Sequence, residues 1–123
     1  MRTFDDLVRQ GKVRYIGLSN FPAWRMMEAL WAADRRDLAQ PQAIQILYNM
    51  LYRDPEMEQL PAAAHYGLAA MVYSPLAGGV LTGKYRPEQA QPPEGSRAVH
   101  WPRQGGRPSS SPQMNPRYLA AAA

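Results

Sequence analysis

The chain has 123 residues, 46% of them hydrophobic and 20% charged, with a formal net charge of +4. These are the proportions of a globular domain that wants a core. Cysteine is absent, which excludes disulfides and thiolate metal sites. No apolar run approaches the roughly 20 residues of a membrane span.

In chain order, Thr3 reads as an N-cap, Asp5 and Asp6 suit the positive end of a helix, and Gly11 stops it, which predicts a helix over residues 4–10. The same N-terminus, MRTFDDLVRQGK, mixes acidic and basic residues and does not read as a signal peptide, so a cytoplasmic location is expected. A strand follows over 13–18. Phe21 and Pro22 open the next helix, where Trp24, Met27 and Trp31 fall on one face at i, i+3 and i+7. That face is expected to pack on the sheet, with both tryptophans and the methionines filling the core. Residues 43–47 read as the second strand. Asp54-Pro55 starts a turn or short helix that breaks at Pro61, resumes to Tyr66 and is closed by Gly67. Residues 69–73 read as the third strand, followed by a loop with two adjacent glycines.

The charge excess collects at the C-terminal end. Residues 1–84 hold nine Lys or Arg against eight Asp or Glu, and residues 85–123 hold five Arg against two Glu. Seven of the twelve prolines also lie in that last stretch, so 86–123 is expected to be a poorly ordered basic tail. Its arginines are scattered, with no compact basic cluster, which argues against a nucleic-acid partner. His65 and His100 have no companions at metal-ligand spacing.

Aligning Ile16, Ile44 and Val72 gives steps of 28 residues, the size of one strand-plus-helix unit. Helices alternating with short apolar strands imply parallel pairing with right-handed crossovers. Either a doubly wound sheet or an eight-stranded barrel would satisfy this pattern. The first calls for G-x-G-x-x-G between strand and helix, and no such string occurs. Gln45, between Ile44 and Ile46, suits a barrel strand with its amide inward and the isoleucines toward the helices. The expected fold is therefore α/β, a partial (β/α)8 barrel of about three units over residues 1–85. Three strands leave two open edges and uncover apolar residues such as Leu47 and Val72. Aggregation, or a homo-oligomer paired through those edges, is expected of the isolated chain.

In a barrel, the loops at the C-terminal strand ends build the active site. The residues there are amides, hydroxyls, a tyrosine face and the backbone around Gly78 and Gly79. Such a set can bind a carboxamide, stack on a flat heterocycle and cradle phosphate oxygens. GLSNF at 17–21, QILYNMLYR at 45–53 and YSPLAGGVLTGKY at 73–85, with the lead-in DDLVRQGKVRYIG, resemble the matching stretches of the aldo-keto reductase family over about residues 3–97.

The resemblance implies hydride transfer between NADPH and an aldehyde or ketone. Carried over by position, Ser19, Asn20 and Gln45 hold the nicotinamide carboxamide and Tyr73 stacks on its ring. Ser74, Leu76 and Gly78 line the pyrophosphate, and Lys84 adds positive charge. Each has a plainer reading beside it. Asn20 could cap the following helix, Gln45 could be a buried amide satisfied by backbone, and Tyr73 could be rim packing. The glycines could serve only a tight turn, and Lys84 could be a solvated charge. The family's proton-donating tyrosine and its lysine, aspartate and histidine partners match nothing in this chain. No catalytic residue is assigned, the isolated chain is expected to be inactive, and a carbonyl substrate is expected only if the missing half completes it. The alternative expectation is a non-catalytic nucleotide-binding or oligomerising half-barrel.

Overall fold

A computed structural model of the chain describes residues 1–85, 93–96 and 120. All but five residues of the expected basic tail lie outside the described residues, as does His100. The elements in order are α1 (Arg2–Arg9), β1 (Gly17–Ser19), α2 (Ala23–Asp34), β2 (Ala43–Leu47), α3 (Gln59–His65) and β3 (Ala69–Tyr73), with 3-10 turns at Asp54–Glu56 and Ala77–Thr82. The three strands form one parallel sheet in the order β1-β2-β3. A helix supplies each crossover, as parallel pairing demands. The chain divides into two compact units, Met1–Tyr48 with Tyr52–Tyr73 and Asn49–Leu51 with Ser74–Ala123.

β2 and β3 occupy the residues expected of them, whereas β1 is shorter than 13–18. Val13 still donates its N–H to Leu7 O at 3.3 Å, which ties it to the end of α1. The register is Gly17↔Ala43↔Ala69, so Ile44 pairs with Leu18 and Ala70. The repeat is thus 26 residues, correcting the expected 28. A slip of two keeps Ile44 and Val72 on one face of the sheet, because a strand alternates with period two.

Ile44 and Ile46, 1% and 2% exposed, form the core of the first unit with Met26, Ala63 and Leu68, and Gln45 between them is exposed. Val72 pairs with Ile46 and therefore lies on the helix-facing side of the sheet, not inward beside Leu47. It is 41% exposed, and all of β3 is open.

The face of α2 differs from the expected one. Met26 and Ala33, seven residues apart, are fully buried, with Ala23 and Leu30 in the same row. Trp24 and Trp31 are 61% and 62% exposed. The helix is apolar nearly all round, so spacing alone does not select its buried face. Small Ala and flexible Met fit against the sheet, while the indoles carry the guanidiniums of Arg25 and Arg35, 5.8 and 4.9 Å from the ring centres. Met50, Met57 and Met71 are likewise exposed rather than core.

All three helices close by one device. Lys12, Leu38 and Leu68 donate N–H groups back to Leu7, Ala33 and Ala63 across left-handed Gly11, Asp37 and Gly67. After α3, Leu68 and Ala63 are both core residues, so the closure is sealed by apolar contact.

The helix start also differs. Met1, not Thr3, occupies the N-cap position of α1, and Asp5 does more than face the helix dipole. It is buried, accepts the Ala39 N–H at 2.8 Å through Oδ1 and pairs with Arg9 Nε at 2.6 Å through Oδ2. The Ala39 bond, with Arg9, holds its carboxyl below the ordinary carboxylate range. A depressed folded pKa contributes stability that is complete above the unfolded value of about 4 and is lost as pH falls through the folded one. Asp5→Asn is therefore expected to lower the thermal midpoint at pH 7 and to flatten its fall below about pH 4. Melting curves across that range check this; an undiminished acid slope in Asp5→Asn would contradict it.

The second unit has its own small cluster, Ala77, Val80 and Tyr85 packed with Leu51 and Leu81. Among the described residues, no helix is long and apolar enough to cross a membrane.

Candidate functional site

In the first unit the strand ends bring Ser19, Asn20, Gln45 and Tyr73 together. Ser19, Gln45 and Tyr73 share the inward face of the sheet, Ser19 being registered with Gln45 and Leu47 with Tyr73. Ser19 Oγ donates to Gln45 Oε1 at 3.4 Å, and Tyr73 OH donates to Asn20 Oδ1 at 3.1 Å. Each amide oxygen accepts one of these bonds, which leaves Gln45 Nε2 and Asn20 Nδ2 as donors that an incoming acceptor can use. Ser19, Asn20, Gln45 and Tyr73 are all exposed. A shallow hollow of about 220 Å³ lies over Ser19, Gln45 and Met71.

Asn20 does not cap α2: Pro22 stands at the N-cap, and no side chain caps that end. Instead Asn20 has φ +56° and donates its backbone N–H to Gln45 O at 2.9 Å. A left-handed non-glycine residue at a strand end is a local strain of the kind that clusters at binding sites. Gln45 is not a buried amide satisfied by backbone, because its side chain is open and meets Ser19.

In the second unit Ser74, Leu76, Gly78 and Lys84 surround one hollow of about 530 Å³ together with Gly79 and Thr82. Ser74 and Ala77 have φ +55° and +51°, and Gly78 and Gly79 +66° and +101°. This run of positive φ curls the backbone into a concave turn. Ala77 N–H bonds to Ser74 O at 2.9 Å and Gly79 N–H to Leu76 O at 2.8 Å. No backbone carbonyl among the described residues accepts from the Leu76 or Gly78 N–H. Free N–H groups in a concave turn form an anion cradle. Lys84 Nζ lies 5.1 Å from the Tyr85 ring centre, and a Cβ on Gly79 would stand 2.5 Å from Lys84 Cε. The bare α-carbon of Gly79 is what lets the lysine side chain cross the turn.

Two groups in or beside the motifs were given no partners by the sequence reading, although Tyr48 stood among its strand-end residues. Just past β2, Tyr48 OH donates to Glu56 Oε1 at 2.6 Å, and Arg53 grips both oxygens of Glu56 at 2.8 Å. Arg53 first, then Tyr48, holds the Glu56 carboxyl below its ordinary range, and Glu56 raises the Tyr48 phenol. Tyr48 is therefore a fixed, neutral donor that anchors its loop. The (i, i+3) spacing of Arg53 and Glu56 was a visible signal for half of this network. The second group, Asn49, is buried with its side chain turned onto Ser74 O, and nothing in its spacing announces that.

The Aldo/keto reductase family model matches residues 1–119, beyond the residues 3–97 that the resemblance covers. An oxidoreductase of Bacillus subtilis (strain 168), YrpG, is 47% identical over 81 residues, 66% of this chain and 25% of its own length. Aflatoxin B1 aldehyde reductase member 2 of Mus musculus is 39% identical over 88 residues, 72% of this chain and 24% of its own. Aldo-keto reductase family 7 member A3 of Homo sapiens is 38% identical over 88 residues, 72% and 27% respectively. The chain spans about a quarter of the length of these curated relatives. That family's fold is a (β/α)8 barrel, and the sheet β1-β2-β3 with its helices is a partial form of it. With a match over nearly all its residues and the parallel strand-helix order the family requires, the chain belongs to the aldo/keto reductase family.

Proposed function

We propose that this chain supplies the nicotinamide-cofactor side of an oxidoreductase that uses NADPH on an aldehyde or ketone. The observation that carries the reading is the pair of strand-end bonds, Ser19 to Gln45 and Tyr73 to Asn20, which gather two amides and one aromatic ring at a single sheet end. A nicotinamide carboxamide offers a carbonyl acceptor and an NH₂ donor. Gln45 Nε2 and Asn20 Nδ2 suit the first, and the Ser19 hydroxyl oxygen suits the second. Tyr73, its hydroxyl held by Asn20, offers a ring in fixed orientation for stacking. The free N–H groups of Leu76 and Gly78, with Ser74 and Lys84, suit a pyrophosphate.

When bound, the cofactor supplies the hydride, and the role assigned to these residues is to hold it in the geometry that transfer needs. NADPH rather than NADH follows the family reading. The aldehyde in one relative's name supports the carbonyl class. No proton donor is assigned to the described residues.

Fluorescence titration of NADPH into the chain tests this. Loss of one hydrogen bond to the carboxamide in Gln45→Ala is expected to weaken binding by about five- to ten-fold. Equal binding by wild type and Gln45→Ala would remove Gln45 from the site, and no binding by the wild type would remove the reading.

A further inference from the structure

We infer that Asn49 is a positioning residue for the anion-binding turn, an inference that rests on the reading of Ser74–Lys84 as the pyrophosphate site. Asn49 is 6% exposed, and its side-chain amide works in two directions. Its Oδ1 accepts the Leu51 N–H at 3.0 Å, which fixes the side chain on its own loop. Its Nδ2 donates to Ser74 O at 3.1 Å. That carbonyl also accepts the Ala77 N–H at 2.9 Å, so one oxygen takes two bonds.

The placement of these bonds gives them their consequence. Ser74 is left-handed, and the next residue is proline, whose ring has no N–H with which to anchor the peptide between them. The plane of that peptide sets the direction in which the chain enters Leu76 and Gly78, whose N–H groups find no backbone acceptor among the described residues. Strained φ values persist only where surrounding contacts hold them. Asn49 supplies such a contact from a buried position, and Leu51 backs it in the same cluster as Ala77 and Val80. Asn49 does not itself line the hollow but touches it at the carbonyl of Ser74, so its effect on a ligand is exerted through the turn.

Asn49→Asp tests the bond to Ser74. It keeps the shape and the acceptor for Leu51, but it replaces the Nδ2 donor with an oxygen facing the Ser74 carbonyl. With folding confirmed by circular dichroism, NADPH fluorescence titration is expected to give a dissociation constant about ten-fold above wild type. The emission maximum of bound NADPH at saturation should stay that of wild type, because the nicotinamide end is untouched. Asn49→Ser serves the same comparison if the aspartate variant does not fold. An affinity within two-fold of wild type in a folded variant overturns the inference, as does a shifted emission maximum. Absence of NADPH binding by the wild type would instead remove the cofactor reading on which the inference rests.

Discussion

Ile44→Ala is expected to lower the unfolding free energy by about 2–5 kcal/mol, the range for deleting a large aliphatic side chain from a packed core. Ile44 is 1% exposed in the central strand of a three-stranded sheet, and its partners Leu18 and Ala70 lie on the same helix-facing side. The cavity would open beneath α2, beside fully buried Met26. Small domains are stable by only about 5–15 kcal/mol, so the loss takes a large share of the total. The next residue provides the control. Gln45→Ala, on the exposed face of the same strand, should change stability by no more than about 0.5 kcal/mol. Urea unfolding of both variants decides the matter. Equal losses would mean that the sheet does not bury one face and open the other.

Gly79→Ala is expected to cost cofactor affinity more than any other single change in the turn. At φ +101° an L side chain is strained by about 1–3 kcal/mol in whatever space it meets. The new Cβ would also stand 2.5 Å from Lys84 Cε, 2.8 Å from Lys84 Nζ and 3.3 Å from the Tyr85 ring. The lysine must leave, carrying its charge away from the Leu76 and Gly78 N–H groups. Gly83→Ala separates the two effects, since its φ of +72° imposes similar strain while its Cβ meets nothing within 4 Å. In NADPH titrations Gly79→Ala should bind at least about ten-fold more weakly than Gly83→Ala. Equal affinities would show that Lys84 contributes nothing from its place over the turn.

β2 and β3 were legible because short apolar runs between polar turns leave few alternatives. Residue 45 showed which face was which, since a lone amide between two isoleucines needs an open side. The face of α2 was not legible. Trp24, Met27 and Trp31 form as regular a row as Ala23, Met26, Leu30 and Ala33, and the choice between them rests on side-chain size against the sheet. Spacing measured between apolar strand centres also missed the register by two residues, because hydrogen bonding aligns Leu18, not Ile16, with Ile44.

At the site, the family resemblance supplied residue identities, and the conformations lay outside its reach. Asn20, Ser74 and Ala77 carry positive φ although none is glycine. Asn tolerates that region, but no propensity would place Ser74 or Ala77 there, and long-range partners such as Tyr73 on Asn20 and Asn49 on Ser74 hold these conformations. The Tyr48–Glu56 bond is of the same kind, joining residues whose separate types are unremarkable.

The most direct test of the central claim is saturation-transfer NMR of NADPH mixed with the chain, which reports which end of the cofactor touches protein. The account predicts strong transfer to the nicotinamide ring protons, reduced in Tyr73→Ala. Transfer to the adenine protons alone, or to none, would contradict it.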